Sequence, residues 1–208
     1  MFSLPSITEL LLLLPAIIIR LTFHEFAHGW VANYLGAPTA KNEGRLTLNP
    51  LPHIDPVGFL MLLLFRFGWA KPVPVNPFYF RGDRARGMLL VALAGPAANL
   101  VVAFVTAMLL RLGVHNLIPF PYVEILLYLT IKINVVLAIF NLLPIPPLDG
   151  SKILAGLFPR QTGFIHGMET YGMVILLLLL FTGVLGKVLW PAVNSVSGIF
   201  YLMAGISS

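Results

Sequence analysis

Long uncharged apolar runs set the first limit on what this chain can fold into. Leu10 to Ile19, Met88 to Leu110 and Met173 to Phe181 contain no charged residue. A spanning helix needs about 20 predominantly apolar residues, and runs of this kind recur often enough to cross a bilayer several times. Of the 208 residues, 58% are hydrophobic and only 10% charged, against about 45–50% and about 25% in soluble domains. That balance excludes intrinsic disorder and a soluble nucleic-acid binder. The absence of cysteine excludes a disulfide-stapled secreted domain, a Cys-based zinc site and a thiol nucleophile. The net charge of +5 has a bland source, because Lys and Arg gather on the cytoplasmic loops of membrane proteins. The expected fold is an all-α polytopic membrane protein, with about five to six membrane helices or re-entrant segments and short extended loop segments.

Stop signals divide the chain. A first helix is expected from about Pro5 to Leu35, ended by Gly36 and Pro38. Its N-terminal flank, MFSLPSITE, lacks the basic n-region of a signal peptide, so the helix is expected to be retained. Residues 37–55 read as a polar interfacial loop with a short hairpin through Gly44. Val57 to Phe67 is too short for a standard span and reads as re-entrant. Alternation of Pro and Val from Pro72 to Val75 forbids helix and favours an extended segment. Further spans are expected from about Gly87 to Leu112 and from Pro121 to Leu143, the latter stopped by Pro144, Pro146 and Pro147. Residues 151–166 read as a connector, and Met168 to Leu185 and Val188 to Leu202 as a helical pair around Gly186 and Pro191. No repeat and no appended soluble domain is visible, so residues 1–208 are expected to form a single integral-membrane domain.

Orientation follows from the basic residues. Arg66, Lys71, Arg81, Arg84 and Arg86 cluster in one segment, Lys152 and Arg160 in another, and Lys41 and Arg45 follow the first helix. The turn near 113–121 carries none. The three basic regions are therefore expected in the cytoplasm and the N-terminus outside.

Near the end of the first helix stands His24-Glu25-Phe26-Ala27-His28. Residues four apart on a helix share a face about 5–6 Å apart, so both imidazoles can reach one tetrahedral ion. Glu25 is rotated by about 100° from His24, beside the ion, where it can act as general base toward the attacking water. Two helix-packing histidines would be the bland reading, but His and Glu inside an apolar span are costly and by default functional. A catalytic zinc takes three protein ligands, and Asp149 is the candidate third. It follows the proline-broken helix end NLLPIPPLDG, and the topology places it at the same cytoplasmic level as the two histidines. A turn or helix-terminus aspartate is the alternative for it.

HEFAH in an early apolar helix, followed much later by NLLPIPPLDG, resembles the site-2 protease family of intramembrane zinc metalloproteases. GRLTLNPLPHIDPVG, WAKPVPVNP and LAGPAANL look like the intervening blocks of its small, single-domain members, and the resemblance covers roughly residues 10–160. It implies one zinc ion per chain, held by His24, His28 and Asp149, with Glu25 as base. It further implies hydrolysis of transmembrane protein substrates in the cell membrane, as in regulated intramembrane proteolysis, and a supporting role for Asn141 toward substrate or transition state. The rival readings are a metal-binding membrane transporter and a proteolytically silent scaffold.

Other residues carry less. Asn141 could equally make a structural interhelical bond. His53 could approach the site or simply stay in its loop. Asp55 could orient a ligand histidine or cap a turn. Arg20 lies one turn before His24 on the same stripe, an odd cation beside a metal that must find a carboxylate or the polar interior. Gly95, Pro96 and Asn99 suit close helix packing and a kink. His115 and His166 are assigned nothing.

Overall fold

A computed structural model describes residues 7–65, 68–158 and 162–206. Eight helices follow in order: α1 (Ile7–Tyr34), α2 (Thr39–Asn42), α3 (Pro56–Phe65), α4 (Arg84–Arg111), α5 (Val123–Asn141), α6 (Asp149–Leu157), α7 (Thr162–Phe181) and α8 (Val184–Ala204). The described residues contain no strand, and their one isolated bridge pairs Ile54 with Ala70, antiparallel. The chain is all-helical. Helices α4 and α5 are each long and apolar enough to cross a membrane, and a third span is counted if the α7–α8 pair, bent by 79°, is one broken crossing.

Helix α4 is the axis of the fold and packs against α1, α5, α6 and α8. Asp83 opens it, its carboxylate accepting from the Arg86 N–H at 2.7 Å, which satisfies one of the donors left free in a first turn. Small buried residues along α4, Ala92, Ala103 and Ala107 among them, let its neighbours approach closely. The main core joins Ala103, Ala107 and Leu110 of α4 to Ile131 and Val135 of α5 and to Leu189 and Val193 of α8. Several polar donors beside this core are satisfied within their own helices. Thr106 and Thr130 donate to the carbonyls of Val102 and Leu126, and the Asn134 amide donates to Thr130. In an apolar medium an unsatisfied group costs several kcal/mol.

Between α1 and α4 the chain is held flat against the bundle. Ala32, Ala37 and Val91 form a second small core, covered by Val75 and Phe80 of the extended segment. Lys71 N–H donates to the His53 carbonyl at 3.0 Å, and Arg45 Nη2 donates to the Lys71 carbonyl at 2.7 Å. The Pro/Val stretch is extended, as its prolines demand. The ends of the α3 excursion meet at the Ile54–Ala70 bridge, and α3 has only 10 residues, about 15 Å of rise. The excursion therefore leaves and returns at one level.

Three boundary expectations need correction. Residues 37–55 hold the short α2, a turn through Gly44 and a 3-10 turn at Leu51–His53 in place of a hairpin. Residues 151–157 of the expected connector belong to helix α6. The α7–α8 break falls at Gly183, whose φ of 73° suits glycine, while Gly186 and Pro191 lie inside α8. Arg160 lies outside the described residues.

Candidate metal centre

His24 and His28 leave α1 on one face because they are four residues apart, and their rings meet edge to face with centroids 4.6 Å apart. Asp149 reaches them from the first residue of α6. Gly150 makes this approach possible, because a Cβ there would fall on the Leu142 and Leu143 carbonyls at the end of α5. His24 Nε2 lies 3.1 Å from His28 Nε2, and Asp149 Oδ2 lies 3.2 Å from each. All three residues are buried.

The proton count at this point favours a cation. His28 Nδ1 lies 2.7 Å from the Val91 carbonyl, which can only accept, so Nδ1 carries the proton and Nε2 of the neutral ring presents its lone pair. Asp149 Oδ2 is a buried acceptor with no hydrogen-bond partner. At His24 Nδ1 the neighbour is the Asn99 side-chain amide, 3.2 Å away, and Asn99 Oδ1 is buried without a partner. The two ends of an amide have the same shape. Turning it over gives Oδ1 the His24 Nδ1–H and frees the His24 Nε2 lone pair as well. Three lone pairs then converge on one point. An ion bound at about 2.0–2.2 Å in tetrahedral geometry needs donors about 3.3–3.5 Å apart, within a few tenths of an ångström of those present. The residues fit the metal that the sequence motifs imply.

Helix α4 shapes the back of the site. A Cβ on Gly95 would collide with His28 Nε2 and would stand 2.6 Å from Cε1 of both rings. Only glycine lets the two imidazoles lie against α4. Gly95 and Asn99 are thus part of the site, whereas the sequence suggested helix packing alone. An Asn buried in an apolar span was the available signal.

Glu25 stands outside the three-donor cluster, 8% exposed, and its Oε2 accepts from the Val73 N–H at 3.0 Å. A cavity of about 590 Å³ opens in front of these groups. Its walls include Glu25, Arg20, Asn141 and Lys152, the extended residues Trp69, Ala70, Pro72 and Val73, and Met173 and Leu176 of α7. Asn141 is therefore on the cavity wall, with its Nδ2 donating to the Leu137 carbonyl at 2.8 Å. His53 is fully buried elsewhere, its Nε2 2.9 Å from the Thr47 carbonyl, and is absent from the cavity wall. Asp55 Oδ1 accepts from Gly58 N–H and caps the start of α3.

Comparison with known proteins places this arrangement. The model of peptidase family M50 matches residues 122–182, which carry Asp149 but not the HEFAH block. The "Putative zinc metalloprotease YwhC" of Bacillus subtilis is 42% identical over 185 residues, covering 86% of this chain and 84% of that protein. The "Putative zinc metalloprotease Rip2" of Mycolicibacterium smegmatis is 30% identical over 92% of this chain and 73% of its own length. The "Putative zinc metalloprotease MJ0611" of Methanocaldococcus jannaschii is 32% identical over 74% of this chain and 75% of its own. No solved structure matches at the same stringency. With similarity of this extent over most of its length, the chain belongs to peptidase family M50, the site-2 proteases.

Proposed function

We propose that His24, His28 and Asp149 hold the zinc ion of an intramembrane metalloprotease and that Glu25 is its general base. Membership of peptidase family M50, together with the zinc metalloprotease names of its relatives, makes the chain a zinc metalloprotease acting in a membrane. The transporter and silent-scaffold readings are not favoured. The observation that carries the residue roles is the convergence of two buried imidazole nitrogens and a carboxylate oxygen within 3.1–3.2 Å of one another, each able to present a lone pair, beside a cavity that also presents Glu25.

When bound, the ion acts as a Lewis acid toward the scissile carbonyl and acidifies the attacking water. Glu25 takes that water's proton and passes it to the leaving amine. The Val73 N–H restrains one carboxylate oxygen and leaves the other to reach the water. Asn141 keeps one amide N–H for the substrate's carbonyl oxygen, the other being given to Leu137. A peptide bond inside a helix is shielded by its own hydrogen bonds, so the substrate must unwind to extended form. The chain at Val73 to Val75 offers an edge for it. Lys71 and Val73 N–H are already committed, and Pro72 and Pro74 have none.

Several finer features belong to this reading. Helix α1, 28 residues long and about 42 Å by its rise, is a further span, which with α3 and the α7–α8 pair gives about five to six membrane segments. The residues form one integral-membrane domain, a multi-pass protein of the cell membrane. Lys and Arg near Asp149 and around the extended segment support an active site that faces the cytoplasm.

Zinc content and hydrolysis, measured together, test the roles. Glu25→Gln keeps stoichiometric zinc and loses several orders of magnitude in cleavage of a transmembrane substrate, because base and water act as a unit. His24→Ala, His28→Ala and Asp149→Ala lose both zinc and activity. A chelator such as phenanthroline abolishes cleavage and added zinc restores it. An active Glu25→Gln protein, or full zinc in Asp149→Ala, would refute the assignment.

A further inference from the structure

Arg20 has no role in the chemistry above, yet it shares the cavity wall with His24, Glu25, His28 and Asp149. It is partly exposed, on the cavity side of α1, and its Nε is buried with no hydrogen-bond partner. Among the described residues no Asp or Glu oxygen lies within 4.0 Å of an Arg or Lys nitrogen, and only His24 and His28 come that close to a carboxylate, that of Asp149. The carboxylates whose fields reach Arg20 are Glu25 and Asp149; Glu25 accepts from Val73 N–H, and Asp149 faces the two imidazoles at the candidate metal position.

A guanidinium cannot shed its proton, and its planar fork of donors matches a carboxylate in two parallel hydrogen bonds. Held in an apolar helix without such a partner, it is costly. Lys152 of α6 adds a second cation to the same wall. Most of the remaining lining is apolar, with Met88, Leu137, Phe140 and Leu148 among it. The cavity is thus an apolar trough whose two cations, Arg20 and Lys152, share the wall with Glu25 and Asp149 yet pair with neither within 4.0 Å, next to the place where a peptide must lie.

We propose that Arg20 is a subsite for a carboxylate of the substrate, an inference that rests on the protease reading. Arg20 is one helical turn, about 5.4 Å, from His24. An extended peptide rises about 3.3 Å per residue, so the acid falls about one to three residues from the scissile bond. Either an Asp or Glu side chain or the substrate's own C-terminal carboxylate supplies the group.

The test uses full-length protein in nanodiscs of neutral lipid and fluorescent transmembrane peptides. The peptides differ only in carrying Glu or Gln at each position near the cleaved bond, or in ending as free acid or amide. Cleavage is read with wild type, and binding with the zinc-loaded Glu25→Gln variant. At one position the acid should be favoured over its neutral twin about tenfold or more, in kcat/KM and in Kd. Arg20→Gln should bring both ratios to near one with zinc retained, Arg20→Lys should keep part of the preference, and Lys152→Gln most of it. Preference for the free C-terminal acid alone identifies a chain terminus as the source, and preference at an internal Glu identifies a side chain.

Cleavage without any acid preference would overturn the subsite and leave the protease reading intact. Acid-selective binding without cleavage would do the reverse. Loss of zinc in Arg20→Gln, transfer of the preference to Lys152, or a wild-type rate that follows anionic lipid content instead of peptide charge would each overturn the proposal.

Discussion

The backbone N–H of Val73 donates to the carboxylate of Glu25 at 3.0 Å, across 48 positions of sequence. The candidate base is therefore held by the extended loop segment as well as by its own helix. Arg45, through the carbonyls of Lys71 and Pro72, and His53, through Lys71 N–H, fix the loop from behind.

Val73→Pro removes that donor while keeping the extended backbone its neighbours already impose. A hydrogen bond to a charged group is worth about 1.5–3 kcal/mol, so kcat should fall roughly tenfold to a hundredfold. Zinc content should not change. Single-turnover cleavage and metal analysis check this, and unchanged kcat would show that the contact does not position the base.

Asn99→Ala should loosen the zinc without removing any ligand. The Asn99 amide is the partner of His24 Nδ1, and losing such an outer partner typically costs about tenfold to a hundredfold in metal affinity. Competition with a graded chelator measures it. Affinity equal to wild type would mean that the ring is oriented by α1 alone.

Gly95→Ala puts a methyl group where the imidazoles sit. The expected outcome is a helical protein of normal expression whose zinc falls far below stoichiometric. Circular dichroism and metal analysis on one preparation decide it. Full zinc would mean that α4 can shift aside.

A reporter fused after Arg84 should be cytoplasmic and one fused after Asn116 external, given the cluster of basic residues flanking the first and no Lys or Arg from 112 to 131 around the second. The opposite pattern would reverse the membrane orientation proposed for the active site.

Much of this was legible in the residues. Helices α4 and α5 stand out because long apolar runs end at Gly113 and at the prolines after Leu143. The His24–His28 pair carries its own geometry, since spacing on one helix fixes which side chains face together. Helix α6 was not legible: nine residues beginning with Asp and Gly have too little apolar surface to contradict a connector. The placement of the break was ambiguous because Gly183 and Gly186 carry the same signal, and only tertiary packing chose between them. Gly95, Asn99 and Val73 entered the site through contacts between elements far apart in sequence, which no local pattern encodes. His53 was the weaker alternative to Asp149 on paper. Burial against Thr47 removed it.

The donor set also has a consequence for biosynthesis. His24 and His28 belong to the first seventh of the chain and Asp149 to its last third. While the protein is being made, the two histidines enter the bilayer long before the aspartate exists. A two-ligand site seldom keeps its ion, so the nascent chain passes through the insertion machinery, among many exposed membrane segments, as an inert helix. If Asp149 is the third ligand, as proposed, the chain becomes a protease only when α6 docks on α4, and the last ligand to arrive acts as the safety catch.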